Sequence, residues 1–241
     1  MFNFKKNIYA SFSSAKKMFS KTLMHFKKNR YESFASAKEM LSKLKINLNY
    51  IDLDKKLRCI MITSAMPNEG KSFISANLAG SLASEGLRVL LIDADMRNAS
   101  LHHFFTIENR NGLSNCIAGE EDWEKCLNQI GHSSLFVLAA GRTPPNPAIM
   151  LSSRRMGNLL EAMRQKFDLI LIDTAPILAV PDSVALSKYV DGVLLVVRWS
   201  KTTKQAVSDA VHQLKMVGTP LIGSVLNDVR PTGGYYYYGG H

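Results

Sequence analysis

The chain has 241 residues, 46% of them hydrophobic and 21% charged, which is typical of a globular protein with a buried core and excludes a disordered or collagen-like chain. Its formal net charge is +10, and the surplus lies entirely in residues 1–58, which hold 14 Lys and Arg against 4 Asp and Glu. No apolar run approaches the ~20 residues of a membrane-spanning helix, the N-terminus shows no secretory signal pattern, and three cysteines without metal-ligand spacing indicate a reducing compartment.

The first predicted element is a basic, duplicated segment. Residues 3–21 recur as residues 25–43, with 13 of 19 positions identical. In the first copy apolar residues recur every three or four positions from Phe4 to Phe26, which predicts an amphipathic helix with lysines on its other face. Residues 1–45 are therefore interpreted as a basic helical region. Its apolar face could pack on the following domain or a partner helix, could lie on an anionic membrane, or, as the weakest interpretation, could bind nucleic acid.

The next feature is the stretch Ser64–Ser72, which reads SAMPNEGKS. It follows the apolar run Cys59–Thr63 and precedes a helical pattern over Phe73–Glu85 that ends at Gly86. A buried strand, a glycine-containing turn and a helix in this order are typical of a phosphate-binding loop.

The residue types of this loop suit the chemistry of phosphate binding. Gly70 lets the backbone approach phosphate oxygens, Lys71 reaches the terminal phosphates, and the Ser72 hydroxyl can ligate Mg²⁺. One position departs from the usual pattern, because Ala65 stands where the first glycine is expected.

Carboxylates follow two further predicted strands. Asp93 and Asp95 come after the buried run Val89–Ile92, and Asp173 follows the run Leu169–Ile172. In doubly wound sheets ligands bind at the carboxyl ends of the strands, so these carboxylates are predicted to lie beside the phosphate loop and face its Mg²⁺.

The remaining elements continue the alternation of strands and helices. In chain order they are a strand over Leu135–Ala140, a helix from about Ile149 to Lys166, a helix opened by Asp182 and Ser183, a strand over Gly192–Val197, a helix over Thr202–Val217 and a strand over Leu221–Leu226. This order predicts an α/β fold with a doubly wound, mostly parallel, P-loop NTPase-like sheet over residues 46–229. Asn227 follows the last strand, where its amide could recognise adenine.

The chain ends in a glycine-flanked, non-periodic segment over residues 230–241, which is predicted to be mobile. It contains four consecutive tyrosines: Tyr235, Tyr236, Tyr237 and Tyr238.

Together, SAMPNEGKS, LLIDADMR, LILIDTAP and the tyrosine cluster resemble the bacterial tyrosine kinases of capsule and exopolysaccharide loci, the BY-kinases, in the form that is separate from its membrane adaptor. The proline-rich stretch GRTPPNPAIMLSS is also similar to a loop of that family, and the likeness covers about residues 30–241.

The resemblance implies ATP and Mg²⁺ as cofactors and a set of site residues. Catalysis would depend on four side chains, Lys71, Asp93, Asp95 and Asp173, with Asp93 as general base for a tyrosine hydroxyl. The nucleotide would be bound by Glu69, Gly70, Lys71, Ser72, Phe73 and Asn227. The metal would be held by Ser72, Asp93, Asp95 and Asp173. The substrates would be Tyr235, Tyr236, Tyr237 and Tyr238, presented in trans by a neighbouring subunit.

The resemblance also implies partners and a location. These are a transmembrane polysaccharide co-polymerase or adaptor, further copies of the chain in a ring, and a phosphotyrosine phosphatase, without nucleic acid. The enzyme would be cytoplasmic and peripheral at the inner face of the cell membrane. The family's ring-assembly pattern Glu-x-x-Arg-x-x-Arg corresponds here to Glu39, Ser42 and Lys45, so both arginines are replaced and a ring is less strongly indicated.

Two other functions are compatible with parts of the pattern. A MinD/ParA-like partitioning ATPase shares this sheet, but such ATPases have an additional lysine early in the loop, where this chain has Met66. A non-catalytic ATP-binding switch would use the tyrosines as docking sites. The tyrosine tail and Met66 favour the kinase.

Overall fold

The structure, a computed structural model, describes residues 8–9 and 57–229. Within them eight strands form one sheet. They are β1 (Ile8–Tyr9), β2 (Cys59–Ser64), β3 (Val89–Asp93), β4 (Leu127–Gln129), β5 (Leu135–Leu138), β6 (Leu169–Asp173), β7 (Gly192–Arg198) and β8 (Leu221–Asn227). Their order is β1-β8-β7-β2-β6-β3-β5-β4, and every neighbouring pair is parallel except β4 and β5. The predicted mostly parallel sheet is confirmed.

Helices connect the strands. They are α1 (Lys71–Ser84), α2 (Leu101–Phe105), α3 (Leu113–Ala118), α4 (Pro147–Leu151), α5 (Arg154–Arg164), α6 (Asp182–Leu186) and α7 (Lys204–Met216), with a 3₁₀ turn at Ser187–Tyr189. Because successive residues of a strand face opposite sides, each strand supplies two cores. Ile60 and Ile62 of β2 pack in the cluster that contains Leu78 of α1, whereas Met61 packs in the cluster that contains Leu160 of α5. Helices therefore cover both faces of the sheet.

The predicted helix from about Ile149 to Lys166 is wrong as a single element. The structure divides it into α4 and α5, with a break at Ser152 and Ser153. The Ser153 hydroxyl accepts a hydrogen bond of 3.2 Å from the backbone N–H of Met156, so this serine caps a new helix. Because the spacing of apolar residues continues unchanged through the break, the sequence pattern did not indicate the cap.

The N-terminal region and the tyrosine tail lie outside the described residues, apart from Ile8–Tyr9. These two residues form a strand, not part of the predicted helix, and pair in parallel with Val225 and Leu226 at the edge of β8. Such an edge offers unpaired backbone groups to an added strand, which explains the difference. No helix in the described part of the chain is long and apolar enough to cross a bilayer.

Candidate functional site

Three of the predicted elements meet where neighbouring central strands of the sheet have their carboxyl ends. Strand β6 lies between β2 and β3, and Asp173 at its end is in register with Ile62 of β2 and Asp93 of β3. Ser64 ends β2 at the same edge and leads into the loop. The chain thus brings the predicted phosphate loop and the predicted carboxylates together.

The loop turns sharply before α1. Asn68 and Gly70 have left-handed backbone conformations, with φ of 63° and 93°. Alternation of such residues directs successive N–H groups into a concavity that suits an anion, and the helix that begins at Lys71 adds its dipole. Phe73, in the first turn of this helix, is half-buried, with its ring 6.5 Å from that of Phe104.

The Lys71 ammonium is held inside the site. Its Nζ lies 2.8 Å from Oδ2 of Asp95 and 3.4 Å from Oγ of Ser72. Burial lowers the pKa of Lys71, but the nearby charges of Asp173 and Asp95 outweigh this and raise it above its usual value. Lys71 is therefore a fixed positive charge at the end of the loop, where the helix begins.

Asp173 has an oxygen available for a further ligand. Its carboxylate is fully buried, and Oδ1 accepts a hydrogen bond of 3.1 Å from the Ser75 hydroxyl. Oδ2 is also buried and has no hydrogen-bond partner among the described residues. Burial raises the pKa of Asp173, and the charge of Lys71 opposes the rise. An unsatisfied buried carboxylate oxygen is costly, so it fits a site completed by a bound cation.

Asp93 is engaged by backbone donors. Its Oδ2 accepts hydrogen bonds of 2.9 Å from each of the N–H groups of Ser100 and Leu101, and Oδ1 accepts a longer one of 3.3 Å from Asp95 N–H. Burial and then the charge of Asp173 raise the pKa of Asp93 to about 7, although the two backbone hydrogen bonds oppose the shift. This carboxyl therefore titrates near neutrality.

The four predicted metal ligands, Ser72, Asp93, Asp95 and Asp173, do not form a ready protein cage. The described residues contain no cluster of three or more His, Cys, Asp or Glu side chains arranged to hold a metal ion. Mg²⁺ commonly binds through one or two carboxylates, with phosphates and waters completing its shell. The free oxygen of Asp173 fits that mode of binding.

Two predicted nucleotide-binding residues brace the loop with their side chains. Glu69 is buried, and its Oε2 accepts a hydrogen bond of 3.1 Å from the N–H of Met66. The Thr202 hydroxyl donates to Oε1 of the same carboxylate. The Asn227 amide donates to the Glu69 carbonyl over 2.9 Å. In this structure the predicted adenine-reading amide therefore contacts the loop backbone.

An ion pair that the sequence patterns did not predict lies beside the site. Arg97 donates two hydrogen bonds to Asp182, from Nε to Oδ2 at 2.8 Å and from Nη2 to Oδ1 at 3.1 Å. The Asp182 side chain is fully buried, whereas that of Arg97 is 39% exposed. These hydrogen bonds raise the pKa of Arg97. Its position two residues after Asp95 was the available sequence signal.

Comparisons with known proteins agree with this geometry. A family described as "AAA domain" matches residues 57–224. The tyrosine-protein kinase YwqD of Bacillus subtilis is 37% identical over 198 residues, which cover 81% of this chain and 84% of that protein. The tyrosine-protein kinase etk of Escherichia coli K12 is 36% identical over 196 residues, which cover 80% of this chain but 27% of that protein. The chain thus spans about a quarter of the length of that larger relative.

Among solved structures, a tyrosine kinase domain is more similar to this chain than a MinD protein is. The kinase domain of Escherichia coli tyrosine kinase ETK superposes with a TM-score of 0.81 at 32% identity, covering 97% of this chain and 93% of that one. The septum site-determining protein MinD of Pyrococcus horikoshii, complexed with Mg-ADP, superposes with a TM-score of 0.61 at 24% identity over 70% of each chain. MinD therefore shares the P-loop fold and is the more distant neighbour. A P-loop ATPase-like fold of this kind implies nucleotide binding with a divalent metal.

Proposed function

The chain belongs to the bacterial tyrosine-protein kinase family, and from this membership we propose that it is an ATP-dependent protein-tyrosine kinase that autophosphorylates its C-terminal tyrosine cluster. The observation that carries the proposal is the convergence of three groups at one sheet edge. These are the phosphate loop with its left-handed residue Gly70, the mostly buried side chain of Lys71 and the carboxylate oxygen of Asp173 that has no partner among the described residues. Lys71 supplies a positive charge for the phosphates, Asp173 supplies an oxygen for a metal ion, and the loop supplies backbone N–H groups for phosphate oxygens.

ATP and Mg²⁺ are the proposed ligands of this site. Lys71 would leave Asp95 to contact the terminal phosphates, while the N–H groups of the loop and of the first turn of α1 hold the other oxygens. Ser72 and Asp173 would hold Mg²⁺, which when bound neutralises the charge that develops on the transferred phosphoryl group.

Asp93 is the proposed acceptor of the phenolic proton. A tyrosine hydroxyl has a pKa near 10, so an ordinary carboxylate is a weak base for it. The pKa of Asp93, raised to about 7, reduces the difference between the pKa of the carboxyl group and that of the tyrosine hydroxyl. Its Oδ1, which carries only the longer hydrogen bond from Asp95, is the oxygen we assign to this role. Positioning and charge neutralisation still contribute most of the rate.

The proposed substrates are Tyr235–Tyr238 of a neighbouring copy, which lie outside the described residues. A relative from Klebsiella pneumoniae, 35% identical over 186 residues, carries the name "Putative tyrosine-protein kinase in cps region". By this relationship we assign the chain to the control of capsule or exopolysaccharide synthesis or export. It would act at the inner face of the membrane, with a transmembrane adaptor, a phosphotyrosine phosphatase and further copies of itself as partners.

Phosphotyrosine formation by the purified chain tests the proposal. The chain is incubated with ATP and Mg²⁺ and compared with Lys71→Met and with Lys201→Met, a matched control because Lys201 is an exposed lysine of a surface turn. We expect phosphotyrosine in the tail of the unsubstituted chain and of Lys201→Met, and none in Lys71→Met. Mass spectrometry should place the phosphate on Tyr235–Tyr238.

Two results would contradict the kinase. Phosphate on serine alone would assign the transfer to another acceptor. ATP hydrolysis without phosphotyrosine, lost in Lys71→Met, would favour the partitioning ATPase instead.

A further inference from the structure

A hydrogen-bonded chain joins the phosphate loop to the turn that follows β7. Within this turn, the N–H of Thr202 donates to the Arg198 carbonyl over 3.0 Å, and the N–H of Arg198 donates to the Thr202 hydroxyl oxygen over 2.9 Å. The Thr202 side chain is therefore fixed by its own turn. Its hydroxyl proton is directed at Oε1 of Glu69.

Glu69 contacts both Thr202 and the start of the phosphate loop. Its carboxylate is buried, and the second oxygen, Oε2, holds the N–H of Met66 at the start of the loop. The backbone of Glu69 lies between Asn68 and Gly70, the two left-handed residues. The orientation of the buried side chain is therefore tied to the conformation that opens the anion-binding concavity.

Arg198 supports the same turn from its other side. Its Nη1 donates to the Asn68 carbonyl over 2.9 Å. Left-handed backbone is unfavourable for most residues, although asparagine tolerates it better than others do, and contacts such as this one help to hold it. The contact between Thr202 and Glu69 joins residues that are 133 positions apart in sequence. It therefore depends on β7 and β2 being neighbours in the sheet.

We propose that Thr202 is a positioning residue of the nucleotide site, acting through Glu69 to hold the phosphate loop in the form that binds nucleotide. Among the described residues Thr202 donates its side-chain hydrogen bond to Glu69 and forms none with Lys71 or with the three aspartates, so its contribution is to affinity and not to the transfer step. This inference rests on the proposed nucleotide site.

Binding of ADP to the full chain, measured by titration calorimetry with Mg²⁺, tests the role. Thr202→Val keeps the shape of the side chain and removes the hydroxyl, leaving a buried carboxylate oxygen of Glu69 unpaired. We expect the Kd for ADP to rise about tenfold, which is about 1.4 kcal/mol. Thr202→Ser restores the hydroxyl and should bind within about twofold of the unsubstituted chain, since the lost methyl group makes none of these hydrogen bonds.

Thr203→Val is the matched control for a merely structural effect. Thr203 caps α7 by accepting a hydrogen bond of 3.1 Å from the N–H of Ala206, and its side chain forms no hydrogen bond with the loop among the described residues. Its substitution should lower the unfolding temperature while leaving the Kd unchanged. In autophosphorylation, Thr202→Val should raise the KM for ATP about tenfold and leave kcat within about twofold.

Several outcomes would overturn the assignment. These are unchanged ADP affinity in folded Thr202→Val, an equal loss in Thr203→Val, or failure of Thr202→Ser to restore binding. If Thr202→Val does not fold, Thr202→Ala gives the same test, because it removes the same hydroxyl without placing a second methyl group beside Glu69. ADP binding with this pattern but without phosphotyrosine would refute the kinase and leave the positioning role intact. Absence of ADP binding by the unsubstituted chain would refute both.

Discussion

Substitution of Gly70 by alanine should destabilise the protein for two separate structural reasons. A Cβ at Gly70 would lie 2.1 Å from Nδ2 of Asn227, far inside van der Waals contact. The backbone φ of +93° is also unfavourable for alanine. Gly70→Ala therefore combines a conformational cost with displacement of the Asn227 amide from the Glu69 carbonyl.

Gly86 separates these two costs. It has a similar φ of +96°, and a Cβ there meets nothing within 4 Å in the described part of the chain. Gly86→Ala should therefore cost about 1–2 kcal/mol of the free energy of unfolding, the penalty of a left-handed alanine. Gly70→Ala should cost about 1 kcal/mol more, because the partly buried hydrogen bond from Asn227 to the Glu69 carbonyl is lost. The effect of alanine on the unfolded chain is the same at both positions.

Urea unfolding followed by circular dichroism, without nucleotide, measures both costs. In an Asn227→Ala background the contact no longer exists, so Gly70→Ala should then cost only as much as Gly86→Ala. Equal costs for the two glycine substitutions in the otherwise unsubstituted chain would refute the account of Gly70.

Three further predictions concern stability. Asp93 has a pKa of about 7 in the folded chain against 3.8 ordinarily, because of burial and the charge of Asp173, so the folded state binds the extra proton. The unfolding free energy without nucleotide should therefore fall as the pH rises from about 4 to about 7, and Asp93→Asn should flatten this part of the profile measured by urea unfolding. Arg97→Ala leaves the fully buried carboxylate of Asp182 unpaired and should cost about 2–3 kcal/mol, at the low end for a buried pair because Arg97 is partly exposed; a cost below that of a surface ion pair would contradict this. Ser153→Ala removes the cap of α5 and should cost about 1 kcal/mol, and an unchanged unfolding midpoint would show that the break between α4 and α5 needs no cap.

Much of the site follows from local patterns in the chain. Apolar runs closed by Asp93 and Asp173, and a run leading into Gly70, each specify a buried strand with a polar group at its carboxyl end. Parallel strands place those ends on one edge, so the meeting of loop and carboxylates could be predicted from the sequence. The catalytic, nucleotide and metal roles of these residues stay predictions.

Local patterns failed where a cap divides a helix without changing its apolar periodicity, and where an element is very short. The break at Ser153 lies inside a continuous helical pattern, because a serine cap changes hydrogen bonding without changing the spacing of apolar residues. The antiparallel edge strand β4, only three residues long, is too short to give a pattern of its own.

The sequence by itself determined most of the elements, the phosphate loop and the carboxylates that face it, since strand and helix periods and loop chemistry are encoded within a few residues. The tertiary structure alone decided which side chains meet. Arg97 pairs with Asp182 across 85 residues, and Thr202 reaches Glu69 across 133. Such contacts depend on strand order and register, which arise from packing of the whole sheet, so the sequence around either residue does not identify its partner.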